Sequence, residues 1–293
     1  MEPVTDVSTM PARSITAALL APVPAVDRPV LARTVSQLQA ELASLAAVAQ
    51  TSGARRVTDH TIRTTYDQHD AGPETTPFSW SARTARRTLG LTAVRSLLRG
   101  EVRTPADGVR AALAQAIRSA RDPQWPATTL DRWITGLSAA GRAAVHAEAV
   151  TWATRFWCAL DWPALPTEPV IGRDHWWDSP HSSLLSIRSR AEVRFETTDT
   201  AGDPTSVHLA LLGGTRRPSI RAELSVVALV ECLRSQASWP AGRIIGWWPD
   251  SGHFVTVDVD AAALTAGMVA IRRAVTPLAT VSVPQEAQKR AAA

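Results

Sequence analysis

The chain has 293 residues, of which 45% are hydrophobic and 20% charged, a composition typical of a folded protein of one or two domains. Its 31 basic and 27 acidic residues leave a net charge of only +4, so binding of a polyanion would require the basic residues to be concentrated in one region. The two cysteines, Cys158 and Cys232, exclude a disulfide scaffold and a cysteine-based metal site, and we expect both to be buried.

Residues 1–27 are rich in proline, alanine, threonine and serine without a hydrophobic period, so we expect a disordered arm. The apolar run from Ile15 to Val26 is interrupted by Pro22 and Pro24 and lacks a strongly basic leader, which makes it a poor signal peptide. No stretch of the sequence approaches the roughly 20 apolar residues of a membrane-spanning helix. These features indicate a cytoplasmic protein that does not enter membranes.

Residues 28–58 are predicted to form an amphipathic helix followed by a linker. Leu31, Leu38 and Leu45 recur every seven residues, and apolar residues between them complete one apolar seam over residues 28–50. Fewer than four heptads do not establish a coiled coil. The pattern therefore leaves two roles open for the seam, packing on the chain's own domain or binding a protein partner.

Residues 59–138 are predicted to be a helical region rich in arginine. Between residues 81 and 103 a single acid, Glu101, accompanies six arginines. They are Arg83, Arg86, Arg87, Arg95, Arg99 and Arg103. The last three are spaced four apart, so on one helix they would share a stripe, which is the pattern expected for phosphate binding. The stripe predicts DNA binding, and a solvated arginine face is the alternative.

A second helix of this region has a clear start at residues 104–107. Thr104 supplies an N-cap hydroxyl, Pro105 the first helical position, and Asp107 a carboxylate near the positive end of the helix. Residues 88–109 can also be interpreted as helix, turn and helix. A sequence-specific DNA-binding regulator that uses residues 79–121 is therefore an alternative hypothesis.

From residue 139 onward the pattern changes from helix to strand. One long helix is expected over about 139–160, and the alternation of apolar and polar residues from Leu185 to Glu196 predicts a single long strand. The remaining expected elements are a strand at 207–212, a buried helix capped by Ser219, a hairpin formed by 243–248 and 254–259, a helix capped by Asp260, and a loose tail at 277–293.

Two adjacent tryptophan pairs, Trp176-Trp177 and Trp247-Trp248, bear on how the sheet is covered. Neighbouring residues on a strand point to opposite faces, so one member of each pair must face away from the core that buries the other. The pairs therefore predict a sheet that is covered on both sides.

Four metal-capable side chains lie close together before the predicted long strand. They are Asp174, His175, Asp178 and His181. The loop composition around them favours simple solvation over a metal site. No glycine-rich phosphate loop and no zinc-type Cys/His spacing occurs in the sequence, so we expect no metal and no other cofactor.

The element order over residues 139–276 resembles that of the PD-(D/E)XK nuclease superfamily, in particular its RecB-type branch. The segment 141–146 is similar to the stretch in which that branch carries a metal-binding histidine, here His146. The segment 190–193 stands where the branch has a Gly-Arg-x-Asp sequence that ends in a metal-binding aspartate, here replaced by Glu192. The segment 221–224, with Glu223, stands where the branch has Gln-x-x-x-Tyr. The resemblance implies an α/β fold, in which a helical N-terminal half precedes a PD-(D/E)XK-like mixed sheet flanked by helices.

The departures from this pattern concern the residues that perform the chemistry. The family's second carboxylate and lysine should fall on the strand at 207–212, whose only strongly polar side chain is His208. Without them a metal could not be held or charge on the phosphate stabilised. The resemblance therefore implies a domain without catalytic residues, in which His146, Glu192 and Glu223 are vestigial. Each also has an ordinary alternative. His146 would be a helix-surface or half-buried histidine, Glu192 would form a solvent or cross-strand ion pair, and Glu223 would be a favourable acid in a first helical turn.

The main functional hypothesis is a non-catalytic nuclease-fold protein that acts as a DNA-associated binding or scaffolding subunit. Its expected contact surfaces are the helix at 28–50 for a protein partner and the arginine stripe for DNA. The regulator that uses residues 79–121 remains the alternative. An active metal-dependent nuclease with relocated ligands is the third hypothesis.

Overall fold

The computed structural model describes residues 14–50, 55–67, 80–121, 128–165, 167, 169–171, 175–180, 182–213, 216–235 and 240–280. The chain divides into two compact units. A helical unit comprises the described parts of residues 1–21, 76–165 and 249–252. An α/β unit comprises the described parts of residues 22–75, 166–248 and 253–293. The expected class, α/β with a helical N-terminal half and a mixed sheet flanked by helices, is confirmed.

The helical unit is built from five α-helices and one short 3₁₀-helix within its described residues. They are α1 (Ile15–Leu20), α4 (Ala82–Leu98), α5 (Pro105–Arg121), α6 (Thr129–Gly136), α7 (Ala139–Ala159) and the 3₁₀-helix (Trp162–Ala164), with α2 and α3 belonging to the α/β unit. α4 packs against both α5 and α7, and α5 also packs against α6.

Local sequence explains where these helices begin. The Ser81 hydroxyl accepts the N–H of Thr84 at 3.2 Å, and Thr128 and Ser138 cap α6 and α7 in the same way. At the predicted start of α5 the Thr104 hydroxyl accepts the N–H of Asp107 at 3.1 Å, which confirms that prediction. Each cap satisfies a backbone donor that would otherwise lack an intrahelical partner.

The prediction of a disordered arm is wrong for residues 14–27, while residues 1–13 lie outside the described part of the chain. Ser14 caps α1 by accepting the N–H of Ala17, and Ile15 and Leu19 are buried. The Thr16 hydroxyl accepts the backbone N–H of Asp161 at 3.0 Å. The high proline and alanine content of this segment masked the pattern of the short helix α1, whose apolar residues are buried in the helical unit.

The long helix at 139–160 exists as α7, but it packs in the helical unit. Its apolar side, with Val145, Ala149 and Phe156, is buried there, where α7 contacts α4 and α5. The predicted domain at 139–276 therefore begins too early, because residues 139–165 belong to the helical unit and the α/β unit continues only from residue 166. A helix buried against other helices has the same 3.6-residue period as one that covers a sheet, so periodicity did not distinguish the two.

The α/β unit contains four α-helices and eight strands among its described residues. They are α2 (Arg28–Gln50), β1 (Arg55–Val57), α3 (Asp59–Asp67), β2 (Val170–Ile171), β3 (His175–Ser179), β4 (Ser182–Ser189), β5 (Ala191–Thr198), β6 (Pro204–Leu211), α8 (Ile220–Arg234), β7 (Ala241–Trp247), β8 (Phe254–Asp258) and α9 (Ala261–Thr280). β1 lies in the segment predicted as a linker, and α9 runs past residue 277, where a loose tail was predicted.

Two sheets form the framework of this unit. The larger has the order β2-β5-β6-β7-β8, in which β6 and β7 are parallel and the other neighbours antiparallel. A parallel pair needs a crossover, and α8 provides it between β6 and β7. The hairpin β7–β8 confirms the predicted strand, turn and strand, and Gly252 in its turn has a φ of +73°.

The single long strand predicted from Leu185 to Glu196 is wrong. The chain leaves β4 at Arg190 and enters β5, and the two strands belong to different sheets. The smaller sheet has the order β1-β4-β3. The Arg190 guanidinium forms an ion pair with Asp59 at the beginning of α3, which holds the chain where it changes sheet. The apolar positions of the alternation continue through this break, since Leu185 and Ile187 before it and Ala191 and Val193 after it are all buried.

The apolar seam of α2 is used inside the α/β unit. Leu31, Leu38 and Leu42 join one hydrophobic cluster with residues of β4, α8 and α9. Of the two roles left open, packing on the chain's own domain is the one observed. The seam is therefore not the exposed surface for a protein partner that was the other possibility.

The tryptophan pairs behave differently from each other. Trp177 is buried while Trp176 is 36% exposed, so the smaller sheet has one solvent face rather than cover on both sides. Trp247 and Trp248 are both buried, as the prediction of a doubly covered sheet requires. The prediction is therefore right for the second pair and wrong for the first.

The two cysteines lie in contrasting places. Cys232 on α8 is buried as predicted, and burial, with the nearby Glu231 carboxylate, raises its thiol pKa from 9.0 to about 12. Cys158 near the end of α7 is exposed, which corrects the prediction for that residue. Its position within an apolar pattern was misleading because that pattern covers most sides of α7.

None of the helices in the described ranges combines the length and apolar character needed to cross a membrane.

The close approach of α4 and α7 generates a first prediction. A methyl group at Gly90 would come within 2.8 Å of the Trp152 ring, which is buried. We expect Gly90→Ala to lower the free energy of unfolding by about 1–3 kcal/mol, measured by urea denaturation.

Gly136 is the control, since it is also a helical glycine of this unit, at the end of α6, but has no atom within 4 Å of an added methyl group. Gly136→Ala should leave the free energy of unfolding unchanged or raise it by up to about 1 kcal/mol. Equal effects at the two positions would contradict the packing argument.

Candidate functional site

Glu192 lies inside the α/β unit rather than on a solvated strand face. It is the extra residue of a bulge where the pairing of β5 with β6 shifts between Ala191 and Val193. The bulge turns its side chain inward, leaving the residue 7% exposed. Its Oε2 accepts the backbone N–H of Leu211 at 2.7 Å. The expected solvent or cross-strand ion pair is therefore corrected to a buried carboxylate bound to the end of β6.

Glu223 is also buried, in the first turn of α8. The guanidinium of Arg217 donates to both carboxylate oxygens, at 2.7 Å from Nε and 2.5 Å from Nη2. Ser219 was predicted to cap α8, but its hydroxyl instead donates to Glu223 at 2.8 Å. A bidentate pair of this geometry neutralises the carboxylate and leaves it few free lone pairs.

The two carboxylates lie near the same end of β6. Glu192 binds the N–H of Leu211, and Arg217, which holds Glu223, also donates to the carbonyl of Gly213 at 3.1 Å. Both are thus committed to hydrogen bonds within the protein. Across the described ranges, no group of three or more histidine, cysteine or acidic side chains is arranged to hold a metal ion.

His208 on β6 belongs to a buried polar network that sequence reasoning did not identify. Its Nε2 lies 2.9 Å from the Ser206 hydroxyl, and its Nδ1 lies 3.7 Å from a carboxylate oxygen of Glu231 on α8. The order of serine, histidine and acid is that of a hydrolase triad. Ser206 is 0% exposed and its hydroxyl also lies 3.3 Å from the carbonyl oxygen of Pro240, so it cannot reach a substrate. The network is a structural one.

His146 does not join these residues. It lies on α7 in the helical unit and is half-buried, whereas Glu192 and Glu223 belong to the α/β unit. Of the three positions that the nuclease resemblance singled out, the structure brings two to one end of a strand and places the third in a different unit.

The cluster at residues 174–181 can be followed only in part. Asp174 and His181 lie outside the described residues, and only the backbone of His175 is described, as the first residue of β3. Asp178 is exposed and accepts a hydrogen bond from the Ser186 hydroxyl at 2.5 Å across the β3–β4 pair. Of the four candidate side chains, Asp178 thus has a hydrogen-bond partner within the protein.

The arginine stripe is shorter than predicted. α4 ends at Leu98, and the following turn, with Gly100 at a φ of +68°, directs the chain away from the helix axis. Arg99 is the C-cap residue and Arg103 lies in the loop before α5, so the three arginines spaced four apart do not share one helix. Both of these side chains are exposed, as is Arg83 in the first turn of α4.

The other three predicted arginines are less available. Arg86 forms an ion pair with Asp250 of the hairpin turn at 2.5 Å, within the helical unit. Arg87 and Arg95 are half-buried, and each already interacts with another group. Of the exposed three, Arg99 also lies 3.8 Å from the Glu101 carboxylate in a solvent-exposed ion pair. The six arginines therefore separate into three exposed residues and three that are half-buried and engaged in the structure.

The basic residues are nonetheless concentrated in this part of the chain. Residues 80–165 contain twelve arginines and six acids, a formal charge of +6, against +4 for the whole chain. The rest of the sequence is therefore slightly acidic, by two charges. Further exposed arginines follow those of α4 along the helical unit. They include Arg110, Arg118, Arg121 and Arg132.

The sequence was also compared with known proteins. No protein-family model matches it, and no curated protein matches it significantly.

The buried pair of Arg217 and Glu223 generates a second prediction. Glu223→Ala would leave a guanidinium that is only 10% exposed without its charge partner. We expect this substitution to lower the free energy of unfolding by about 3–5 kcal/mol in urea denaturation. Replacing both residues, as Arg217→Met with Glu223→Leu, should lower the free energy of unfolding by less than the single change, because neither charge of this pair is left buried without the other.

The exposed ion pair of Arg110 and Asp107 provides the control, with side chains 70% and 40% exposed. Arg110→Ala should change the free energy of unfolding by about 0.5 kcal/mol or less. A Glu223→Ala protein as stable as this control would show that the buried pair contributes nothing.

Proposed function

We propose that this chain is a non-catalytic nucleic-acid-binding protein that contacts the phosphate backbone through the exposed arginines of its helical unit. The observation that carries the proposal is the formal charge of +6 on residues 80–165, with Arg83, Arg99 and Arg103 exposed. Arginine donates in a planar fork that suits phosphate oxygens. Clustered exposed arginines on helices are the usual footprint of such binding.

The non-catalytic part of the proposal rests on the state of the buried acids. Metal-dependent phosphodiester cleavage needs carboxylates that can coordinate a divalent ion and activate water. Glu223 is neutralised by Arg217, and Glu192 accepts the N–H of Leu211. β6 carries no acid and no lysine. The residues of this unit thus favour a binding or scaffolding role over cutting.

The nuclease resemblance remains part of the proposal in a narrower form. The order β5, β6, α8, β7, β8 and α9 in the α/β unit agrees with the order on which the resemblance was based. The bulged Glu192 and the opening turn of α8, with Glu223, lie near one end of β6. The helix of His146 lies in the other unit, which weakens that one correspondence. We also propose a cytoplasmic location, from the same sequence features that predicted it.

Binding should depend steeply on salt. Neutralising a phosphate releases a condensed counterion, so each contact adds about one to the slope of log K against log salt. We expect the double variant Arg99→Ala with Arg103→Ala to bind a labelled DNA duplex of unrelated sequence more weakly, with a slope shallower by about 2. Fluorescence anisotropy between about 50 and 200 mM salt measures both quantities.

Arg216 and Arg221 provide the matched control, since both are exposed and lie in the α/β unit. The double variant Arg216→Ala with Arg221→Ala removes the same charge and should leave the slope near that of the wild type. Equal loss in the two double variants would mean that binding follows net charge alone. Strong discrimination between unrelated sequences would favour the regulator hypothesis instead.

Incubation with nucleic acid and metal tests the absence of catalysis. We expect linear duplex and single-stranded DNA to remain intact with the pure protein in Mg²⁺ or Mn²⁺, because Glu192 and Glu223 are both held in hydrogen bonds within the protein. Gel electrophoresis of end-labelled DNA measures this outcome. Cleavage by the wild type that disappears in Glu192→Ala would establish an active nuclease and reject the proposal.

A further inference from the structure

The smaller sheet of the α/β unit has one buried face and one solvent face. Val57, Trp177, Leu185 and Ile187 point inward and belong to the hydrophobic cluster that includes α2, α8 and α9. The alternate residues of the same strands are exposed or half-buried. They are Arg56, Trp176, Asp178, Ser186 and Arg188. We call these five residues the outer face of the sheet.

An arginine and an aromatic ring are in contact on the outer face. The guanidinium carbon of Arg56 is 5.6 Å from the ring centroid of Trp176. Arg56 is on β1 and Trp176 on β3, and β4 separates these strands, so their backbones are two strand spacings, or about 9–10 Å, apart. Contact at this distance requires both side chains to lie over β4. The guanidinium thus lies over one face of the indole, and the ring remains partly exposed.

The surroundings of this layer are basic. Arg188 is directly opposite Trp176 in the β3–β4 register, so its side chain starts about 5 Å away. The one acid of the outer face, Asp178, accepts the Ser186 hydroxyl. Trp176 remains 36% exposed, among the most exposed large hydrophobic residues of the described chain. An exposed indole between two arginines has charge complementary to a phosphate chain and a flat surface for a base.

We propose that the outer face is a stacking platform for an unpaired base of a single-stranded nucleic acid. Trp176 stacks on the base, and Arg56 contacts a flanking phosphate. This is how binders of single strands combine aromatic rings with a basic surface. The inference deepens the proposed nucleic-acid binding and rests on it. It assigns single strands to a surface of the α/β unit that contains none of the arginines of α4.

A duplex does not suit this surface. Bases in a duplex are stacked on one another and present only their edges, so a flat ring on a sheet has no base plane to contact. An unpaired base exposes its whole plane. The platform therefore requires a single strand. Comparing a strand that carries bases with a strand that lacks them tests this requirement.

The experiment compares two fluorescein-labelled strands of equal length, an oligothymidylate and an abasic strand with the same number of phosphates. Fluorescence anisotropy gives the affinity of the full chain for each. We expect the wild type to bind oligothymidylate roughly tenfold more tightly than the abasic strand, because only the former can stack. Trp176→Ala should remove this difference and leave binding of the abasic strand unchanged.

Further variants separate stacking from charge and from folding. Trp176→Phe should retain part of the preference for bases, and Val170→Ala should retain all of it, since Val170 is a 62% exposed apolar residue on the other sheet. Trp176→Ala should not alter the salt slope, whereas Arg56→Ala should reduce it by about one. Circular dichroism of each variant should match the wild type, since the outer face is solvent-exposed.

The outcomes distinguish this inference from the proposed function. Equal affinity of the wild type for the two strands, or an unchanged preference in Trp176→Ala, overturns the platform while leaving phosphate binding by the helical unit intact. Arg99→Ala with Arg103→Ala should weaken both strands by the same factor. If that double variant binds both strands normally while Trp176→Ala loses the base preference, the platform stands and the proposed role of Arg99 and Arg103 fails.

Discussion

The burial of α8 on nearly every side is the constraint on which the rest of the α/β unit depends. The helix connects the parallel strands β6 and β7 and contacts α9 and the smaller sheet. Because it has no solvent face along most of its length, its acids must find partners inside the protein. Glu223 is held by Arg217, and Glu231 lies beside His208 and Arg234. The polar interior of this unit is thus a consequence of placing an acid-bearing helix between layers.

This constraint also explains what the sequence predicted well and what it did not. The period of the apolar residues and the capping residues predicted α2, α5, α7, α8, the hairpin and α9, because these signals come from residues close together in the sequence. The break at Arg190 depends on Asp59, which is 131 residues away and has no local signal. The inward turn of Glu192 depends on a bulge that one strand alone does not specify. The network of Ser206, His208 and Glu231 likewise joins a strand to a later helix. Long-range contacts of this kind leave no periodic trace.

Charge, by contrast, is separated along the sequence and between surfaces. The basic excess belongs to residues 80–165, while the α/β unit keeps its guanidinium groups largely in ion pairs and hydrogen bonds, as with Arg190, Arg217 and Arg243. The outer face of the smaller sheet is an exception, since Arg56 contacts an aromatic ring there. The two proposals thus assign different contacts to different surfaces, phosphates to the arginines of the helical unit and a base plane to the outer face.

The thiol of Cys232 has a consequence for behaviour in alkaline solution. In an unfolded chain it would ionise near pH 9.0, whereas in the folded protein its pKa is about 12. A pKa raised by folding contributes stability that is complete below pH 9.0 and is lost as the pH rises towards 12, since only the unfolded chain then releases the proton. Base should therefore lower the free energy of unfolding between pH 9.0 and about 12. At neutral pH the same sulfur stays protonated and inert towards oxidants.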